Sequence, residues 1–553
     1  MRVPILDEIP VTRRHIDSFK GYNHNRVIGE DEFYDMENMT SDKYPLLAPR
    51  KPRRKIKDFA FPRGLHAHEK LCWIERTGFY YDGEYVGEVD PGSHDMVSMG
   101  SYVIIWPDKK IYSSADNTIV NLEVPKERVF VLEASEESYK YIETINEKTV
   151  ECMKISVDSG KLRVGDSIKI YYGVWNENLD DPQYPEESLT SSILKVVSFS
   201  ESTDHVLIPY SDELAKACGL GKFNQHPTLV YIERNIPSLD YICEYNNRLW
   251  GCLSETNELF CSALGNPFSW FIFNSDSQDS WAVNVGTPGP FTGICAYQDS
   301  VLFFKEDYIH RVYGTRPQNF QVITTNCQGV EKGSARSVCI LDDQVFYKSR
   351  LGICVYTGSL PTLISNEFGD IRYKNAKAGV YRKKYYVNMT CTADEITGEA
   401  YDVQFVYDSA RGLWHREDRC YFSEFTTYDG KLLFISDEGG MYAVGDETEG
   451  TPENCISWRI QTGRLLAMTP DHKHISKVQV RVTLDAGASI SIEARYDGLG
   501  PWIKCAQKLS TSKTGYTIPV IPRRCEFFEL RLSGAGDMRL LGMAYSMEQG
   551  SEV

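Results

Sequence analysis

The chain has almost nothing that reads as helix. Only Asp212 to Cys218 carries a helical pattern, and no apolar run approaches the roughly 18 residues a membrane-crossing helix needs. The start, Met1-Arg2-Val3-Pro4, lacks the apolar core of a signal peptide, so membrane insertion is not expected. Paired cysteines are missing too. The 15 cysteines, an odd number, are scattered singly with no CxxC spacing. Several (Cys243, Cys252, Cys261, Cys295, Cys339, Cys354) alternate with apolar residues, where Cys acts as a small buried hydrophobe. They read as free thiols of a chain made in a reducing cytoplasm, which argues against a disulfide or zinc framework. Positive charge is in short supply: the formal net charge is −17. That argues against a general nucleic-acid binder, which must neutralise phosphates. It permits a passage through which DNA slides, because an acidic wall repels phosphates.

Signatures of chemistry are sparse. There is no GxSxG elbow, Cys-His motif or EF-hand loop. Gly286-Thr287-Pro288-Gly289-Pro290 lacks the Lys-Ser/Thr of a phosphate loop and reads as a tight turn. His66 and His68 alternate, as do His472 and His474, without a third ligand at zinc-binding spacing. Propeller glycosidases need clustered carboxylates, and here Asp and Glu are dispersed through turns. Asp408-Ser409-Ala410-Arg411-Gly412-Leu413-Trp414 is loosely like the Asp-box of sialidases, itself a structural turn; a hairpin with its Trp packed between blades is expected. No catalytic residue, metal or cofactor is expected, and the chain does not read as an enzyme.

What the sequence does have is a recurring phrase, a turn-forming or polar pair followed by a β-branched or aromatic run. It appears at His68-Glu69-Lys70-Leu71, Gly100-Ser101-Tyr102-Val103, Asn246-Asn247-Arg248-Leu249, Asp299-Ser300-Val301-Leu302, Asp342-Asp343-Gln344-Val345, Arg382-Lys383-Lys384-Tyr385 and Asp429-Gly430-Lys431-Leu432. Most copies lie roughly 40–50 residues apart, the spacing of four-stranded propeller blades. The expected fold class is all-β: a β-propeller of about seven blades, with six or eight open, plus an inserted small β-barrel and a C-terminal β-sandwich.

The organisation follows from where the repeat breaks. Residues 1–56 read as an extended N-terminal arm, because the prolines of Tyr44-Pro45-Leu46-Leu47-Ala48-Pro49-Arg50-Lys51-Pro52 forbid helix or central strand. Glu30 to Met39 is acidic and short enough to hold one helical turn. The first blades fit 57–123. The copy at Asn246 is about a hundred residues late, and Val164-Gly165-Asp166 opens an alternating strand inside the gap. Residues 124–236 therefore read as an inserted SH3/OB-like barrel, because propeller loops tolerate insertions. The remaining blades fit 237–447. After the acidic linker Asp446 to Pro452, the period-2 alternation of Lys477 to Leu484 opens a sandwich over 448–553.

Two basic clusters are candidate subunit contacts: Arg50, Arg53 and Arg54 at the end of the arm, and Arg523-Arg524 after Pro522. Each fits a grip on a carboxylate of a neighbouring chain, or simply a solvated face.

The two ends also resemble a known group. Gly21-Tyr22-Asn23, then Phe33 to Thr40 with Asn38-Met39, then Pro45-Leu46-Leu47-Ala48-Pro49-Arg50, looks like an opening common in tail proteins of tailed bacteriophages. Tyr245-Asn246-Asn247-Arg248-Leu249-Trp250 is similar to a phrase frequent there. Ile518 to Cys525 with Gly534-Ala535-Gly536-Asp537 resembles the C-terminal sandwich of Firmicutes-phage homologues. The group is the nozzle, tail tubular or packaged-DNA stabilisation proteins of short-tailed phages. The resemblance implies a structural virion protein, assembled in the host cytoplasm and located in the tail. It implies a homo-oligomeric ring, commonly a hexamer, below the portal and adaptor. Its partners would be tail fibres or tail-tip proteins and double-stranded DNA passing without sequence-specific contact. A tail-tip propeller recognising a receptor or glycan is the alternative, and a glycosidase a third reading.

Overall fold

The computed structural model of this chain describes residues 11–132, 141–145, 148–156, 162–172, 190–196, 198–199, 205–210, 228–274, 276–392, 398–444, 450–466, 473–512, 514–520 and 523–549. The expected helix at Asp212 to Cys218 lies outside them. The chain is all-β and carries the blade repeat of a propeller. It divides into two compact units, residues 68–326 and residues 1–67 with 327–553.

The unit 68–326 holds the antiparallel meander Leu71–Glu75, Gly78–Tyr81 and Glu84–Glu88. It also holds three four-stranded antiparallel sheets, within 95–121, 241–284 and 293–326. The first strands of those sheets, Asp95–Met99, Tyr241–Tyr245 and Gly293–Tyr297, lie side by side, as blades require. Asn246-Asn247 shows why the phrase recurs. Both residues take the left-handed conformation (φ +52° and +55°), and that two-residue turn matches the twist of the strands it joins. The buried Leu249-Trp250 run then fills the core between neighbouring sheets, with Trp250 against Trp281 and Phe320. As expected, Gly286 to Pro290 is a connection between two blades.

The insertion begins and ends nearly where the repeat breaks, at Val124 and Arg234. Its sheet closes on itself. Thr190–Lys195 pairs with Ser167–Tyr172, while Ser198–Phe199, three residues further on, pairs with His205–Pro209. The remaining strands, Thr228–Arg234, Val124–Leu132 and Lys148–Ser156, complete the circuit. It departs from between two blades rather than from within one.

The second unit holds the sheets within 339–363, 373–416 and 422–444, whose first strands again lie side by side. It also contains the sandwich. One sandwich sheet runs Val11–Ile16, Met538–Gln549, Lys473–Leu484, Thr514–Val520. The other runs Phe33–Glu37, Ser457–Thr462, Phe528–Ala535, Ser489–Tyr496, Leu499–Leu509. Inward Val478, Val480, Val482 and Leu484 face a core shared with Ile490, Ile492, Leu530 and Leu532.

The N-terminal segment is therefore no free arm. Val11–Ile16 pairs with Met538–Gln549 in one sandwich sheet and Phe33–Glu37 with Ser457–Thr462 in the other. Arg54–Asp58 becomes the fourth strand of the 422–444 blade, with Ala443 opposite Arg54 and Gly440 opposite Asp58. Glu30 to Met39 holds a strand where a helical turn was expected. Phe33 and Met36 are both fully buried there, and that burial outweighs the local acidic composition. A strap of about fifty residues thus ties both sandwich sheets to a blade.

Candidate functional site

The strap carries the residues singled out at the N-terminal end. Asn38 sits in the left-handed region (φ +56°), which Asn tolerates better than most residues. Its Oδ1 accepts from Arg50 Nε at 2.8 Å, its Nδ2 donates to Ser457 O at 2.9 Å, and its carbonyl accepts from Arg50 N at 2.9 Å. Arg50 continues to Glu453 Oε2 (2.7 Å) and Asp418 Oδ2 (3.2 Å). Arg53 meets Glu417 Oε2 and Asp418 Oδ1, both at 2.6 Å, and its guanidinium lies 4.9 Å from the centre of the Phe422 ring. Burial raises Asp418, but the two guanidinium groups overcome it and hold that carboxyl well below the usual range.

Arg50 and Arg53 are thus buried and spent within the chain, which corrects the expectation of a subunit contact or a solvated face there. Their carboxylate partners come from 364–403 residues away, and no sequence pattern links residues that far apart. Arg54 is half-buried and donates to Gly450 O at 3.2 Å. Arg523 and Arg524 are exposed on the sandwich, with Arg523 over the Tyr496 ring.

Other expectations resolve structurally. Trp414 is buried, packs against Phe368 and Tyr407, and donates to Ile364 O in the preceding blade at 2.6 Å, so the Asp408–Trp414 turn is the expected hairpin with its Trp packed between blades. A Cβ on Gly21 would stand 1.9 Å from Trp414 O, and Tyr22 N donates to that same carbonyl at 2.6 Å. His472 lies outside the described residues; among the described ones no group of three His, Cys, Asp or Glu is placed to hold a metal. The described cysteines carry free thiols, and burial pushes Cys72, Cys261 and Cys295 up to about 12.

Sequence reasoning missed a cleft in the second unit. It encloses about 530 Å³ between the strap, the turn after Tyr373–Tyr381 and the turn after Tyr401–Asp408. Seven of its lining side chains are Lys or Arg and three are carboxylates. Lys384 Nζ binds Asp42 Oδ1 at 2.6 Å and Thr40 Oγ1 at 2.8 Å. Burial raises Asp42, but Lys384 more than offsets this and holds it below its ordinary value. Asp408 Oδ2 accepts from Ser41 Oγ at 2.5 Å and Arg411 Nη1 at 2.8 Å. His415, behind the cleft, is pushed down to about 3 by burial and by Lys384. The available signal was in the repeat: only the copy at Arg382-Lys383-Lys384 opens with three cations.

No protein-family model and no curated protein matches this chain. Solved structures give only remote similarity. Among them are the exo-β-1,3-galactanase of Phanerochaete chrysosporium (9% identity, 55% of this chain and 94% of that one, TM-score 0.21), Hsv2 of Kluyveromyces lactis (12%, 50% and 88%, 0.27) and BamB of Moraxella catarrhalis (9%, 64% and 94%, 0.25). At these values the likeness carries no argument about activity.

Proposed function

We propose that this chain is a structural virion protein, a subunit of a tail-nozzle ring that sits below the portal and adaptor, retains packaged DNA and conducts it on infection. The observation that carries this reading is what the phage-like motifs do. Gly21, Asn38, Leu47 and Arg50 at one end, and Ile518, Val520 and Cys525 at the other, are buried or close-packed positions of one strapped unit. Residues so placed serve a scaffold rather than a reaction centre, as a structural subunit requires. The net charge of −17 supports passage of duplex DNA without adhesion. Exposed Arg523 and Arg524 supply bidentate donors for a neighbouring subunit's carboxylates.

The test is assembly. Purified chain, alone and mixed with the portal and adaptor proteins of the same particle, is weighed by native mass spectrometry and imaged by electron microscopy. A closed ring, six-fold by expectation, supports the reading. A chain that stays monomeric with both partners present overturns it.

A further inference from the structure

The basic cleft is at odds with the rest of an acidic chain. We propose that it binds an anionic saccharide, one or two sugar rings carrying phosphate or carboxylate. The inference goes beyond the nozzle reading and holds whether or not the chain forms a ring.

Charge is the first argument. Arg50, Arg53, Lys384 and Arg411 each have a carboxylate oxygen at 2.6–2.8 Å, so their charge is committed within the chain. Arg382 and Lys383 differ. Arg382 is exposed and lies over the Tyr381 ring at 5.1 Å; the Lys383 side chain is 68% exposed and its Nζ meets Asp342 Oδ2, among the described residues, only at 3.7 Å. Both stand on the rim of the cleft.

Turn chemistry is the second. The same two-residue turn in five other blades is Gly100-Ser101, Asn246-Asn247, Gln298-Asp299, Asp342-Asp343 and Asp429-Gly430, none with a cation. Here it is Arg382-Lys383, and Arg382 holds φ +53°, a conformation costing a non-glycine residue about 1 kcal/mol. The backbone conformation is shared with the other turns of the repeat; what sets this turn apart is a pair of cations on the rim of a cleft.

The third argument selects the ligand. Asp408 is 1% exposed and lines the cleft; both of its donors bind Oδ2, and Oδ1 has none. A carboxylate oxygen without a donor calls for one, and a sugar hydroxyl supplies it. Tyr381 and Tyr386 add ring faces, and about 530 Å³ lies within the range of small-ligand sites.

The experiment is calorimetric titration of the full chain with four probes: glucose 6-phosphate, glucose, inorganic phosphate and tetraglutamate. The double variant R382N/K383G is titrated in parallel. It removes both cations yet restores an Asn-Gly turn, so folding is retained. We expect glucose 6-phosphate to bind best, with affinity falling as salt rises, and about tenfold more weakly to the variant. Silence with every probe, or equal binding by the variant, overturns the site. Inorganic phosphate binding as tightly as the ester, glucose binding equally well, or tetraglutamate binding best overturns the saccharide.

Discussion

Arg50 donates its Nε to Asn38 Oδ1 at 2.8 Å, and with the backbone bond from Arg50 N to Asn38 O this helps close the loop of strap between the sandwich strand Phe33–Glu37 and the blade strand Arg54–Asp58. It joins the middle of the opening motif, at Asn38-Met39, to its last residue. Asn38→Gly keeps the left-handed backbone but leaves a buried guanidinium N–H without its acceptor. We expect a loss of about 1–3 kcal/mol. Asn38→Ala should cost about 1 kcal/mol more, since Ala lacks Asn's tolerance of that conformation. Urea unfolding followed by tryptophan fluorescence checks both; equal stability of the two variants and wild type would remove the staple from the account.

Gly21→Ala places a methyl 1.9 Å from a backbone carbonyl that cannot retreat without moving Trp414. The expected result is loss of the Tyr22 N to Trp414 O bond and about 1–3 kcal/mol of stability. Amide hydrogen exchange at Tyr22 reads this directly, as faster exchange in the variant.

Asp418 is held below its ordinary range in the folded chain, so its contribution is fully present above the unfolded value of about 3.9. That contribution disappears as pH falls toward the lower folded value. Asp418→Asn should therefore be less stable than wild type at pH 7, and the gap should narrow below about pH 4. A gap that stays constant to pH 2 would count against the arginine clamp.

His310 is pushed down to about 4 by burial and by Lys305, and His415 to about 3 by burial and Lys384. Each is neutral when folded and binds a proton more readily when unfolded. Stability is then flat above about pH 6.5 and falls as pH drops from 6.5 toward 4. His310→Asn should flatten part of that slope in denaturation midpoints measured across the range. An unchanged slope would show that His310 binds its proton as readily in the folded chain as in the unfolded one.

In the insertion, Asp166 and Arg234 form a fully buried ion pair; Arg234 Nε also donates to Leu122 O, and both Arg234 and Arg163 lie over the Phe268 ring. Burial pushes the Asp166 carboxyl up, and Arg234 opposes that shift. Arg234→Met strands the carboxylate and should cost about 3–5 kcal/mol, whereas Asp166→Asn with Arg234→Met should recover part of it. Limited proteolysis within 124–236 provides the readout, with the single variant cut faster than the double.

By itself the sequence determined the blade repeat, the strand type and the position of the insertion. Those rest on local chemistry: Asn, Asp and Gly at left-handed turns, alternating apolar runs, and a repeat whose interruption is visible. The turn at Arg382 was equally visible as a departure from the repeat, but its meaning was not, because the strap and the Asp408 turn that complete the cleft lie far away in sequence. The same distance hid the fate of Arg50 and Arg53. A basic cluster between prolines looks solvated until Glu417, Asp418 and Glu453 arrive from the other end of the chain. Strand partners of Val11–Ile16 and Phe33–Glu37 were likewise undecided, since a strand advertises its buried face but not its neighbour. Tertiary structure decided what the N-terminal segment is, because burying Phe33, Met36 and Leu47 against the sandwich outweighs the freedom of an arm.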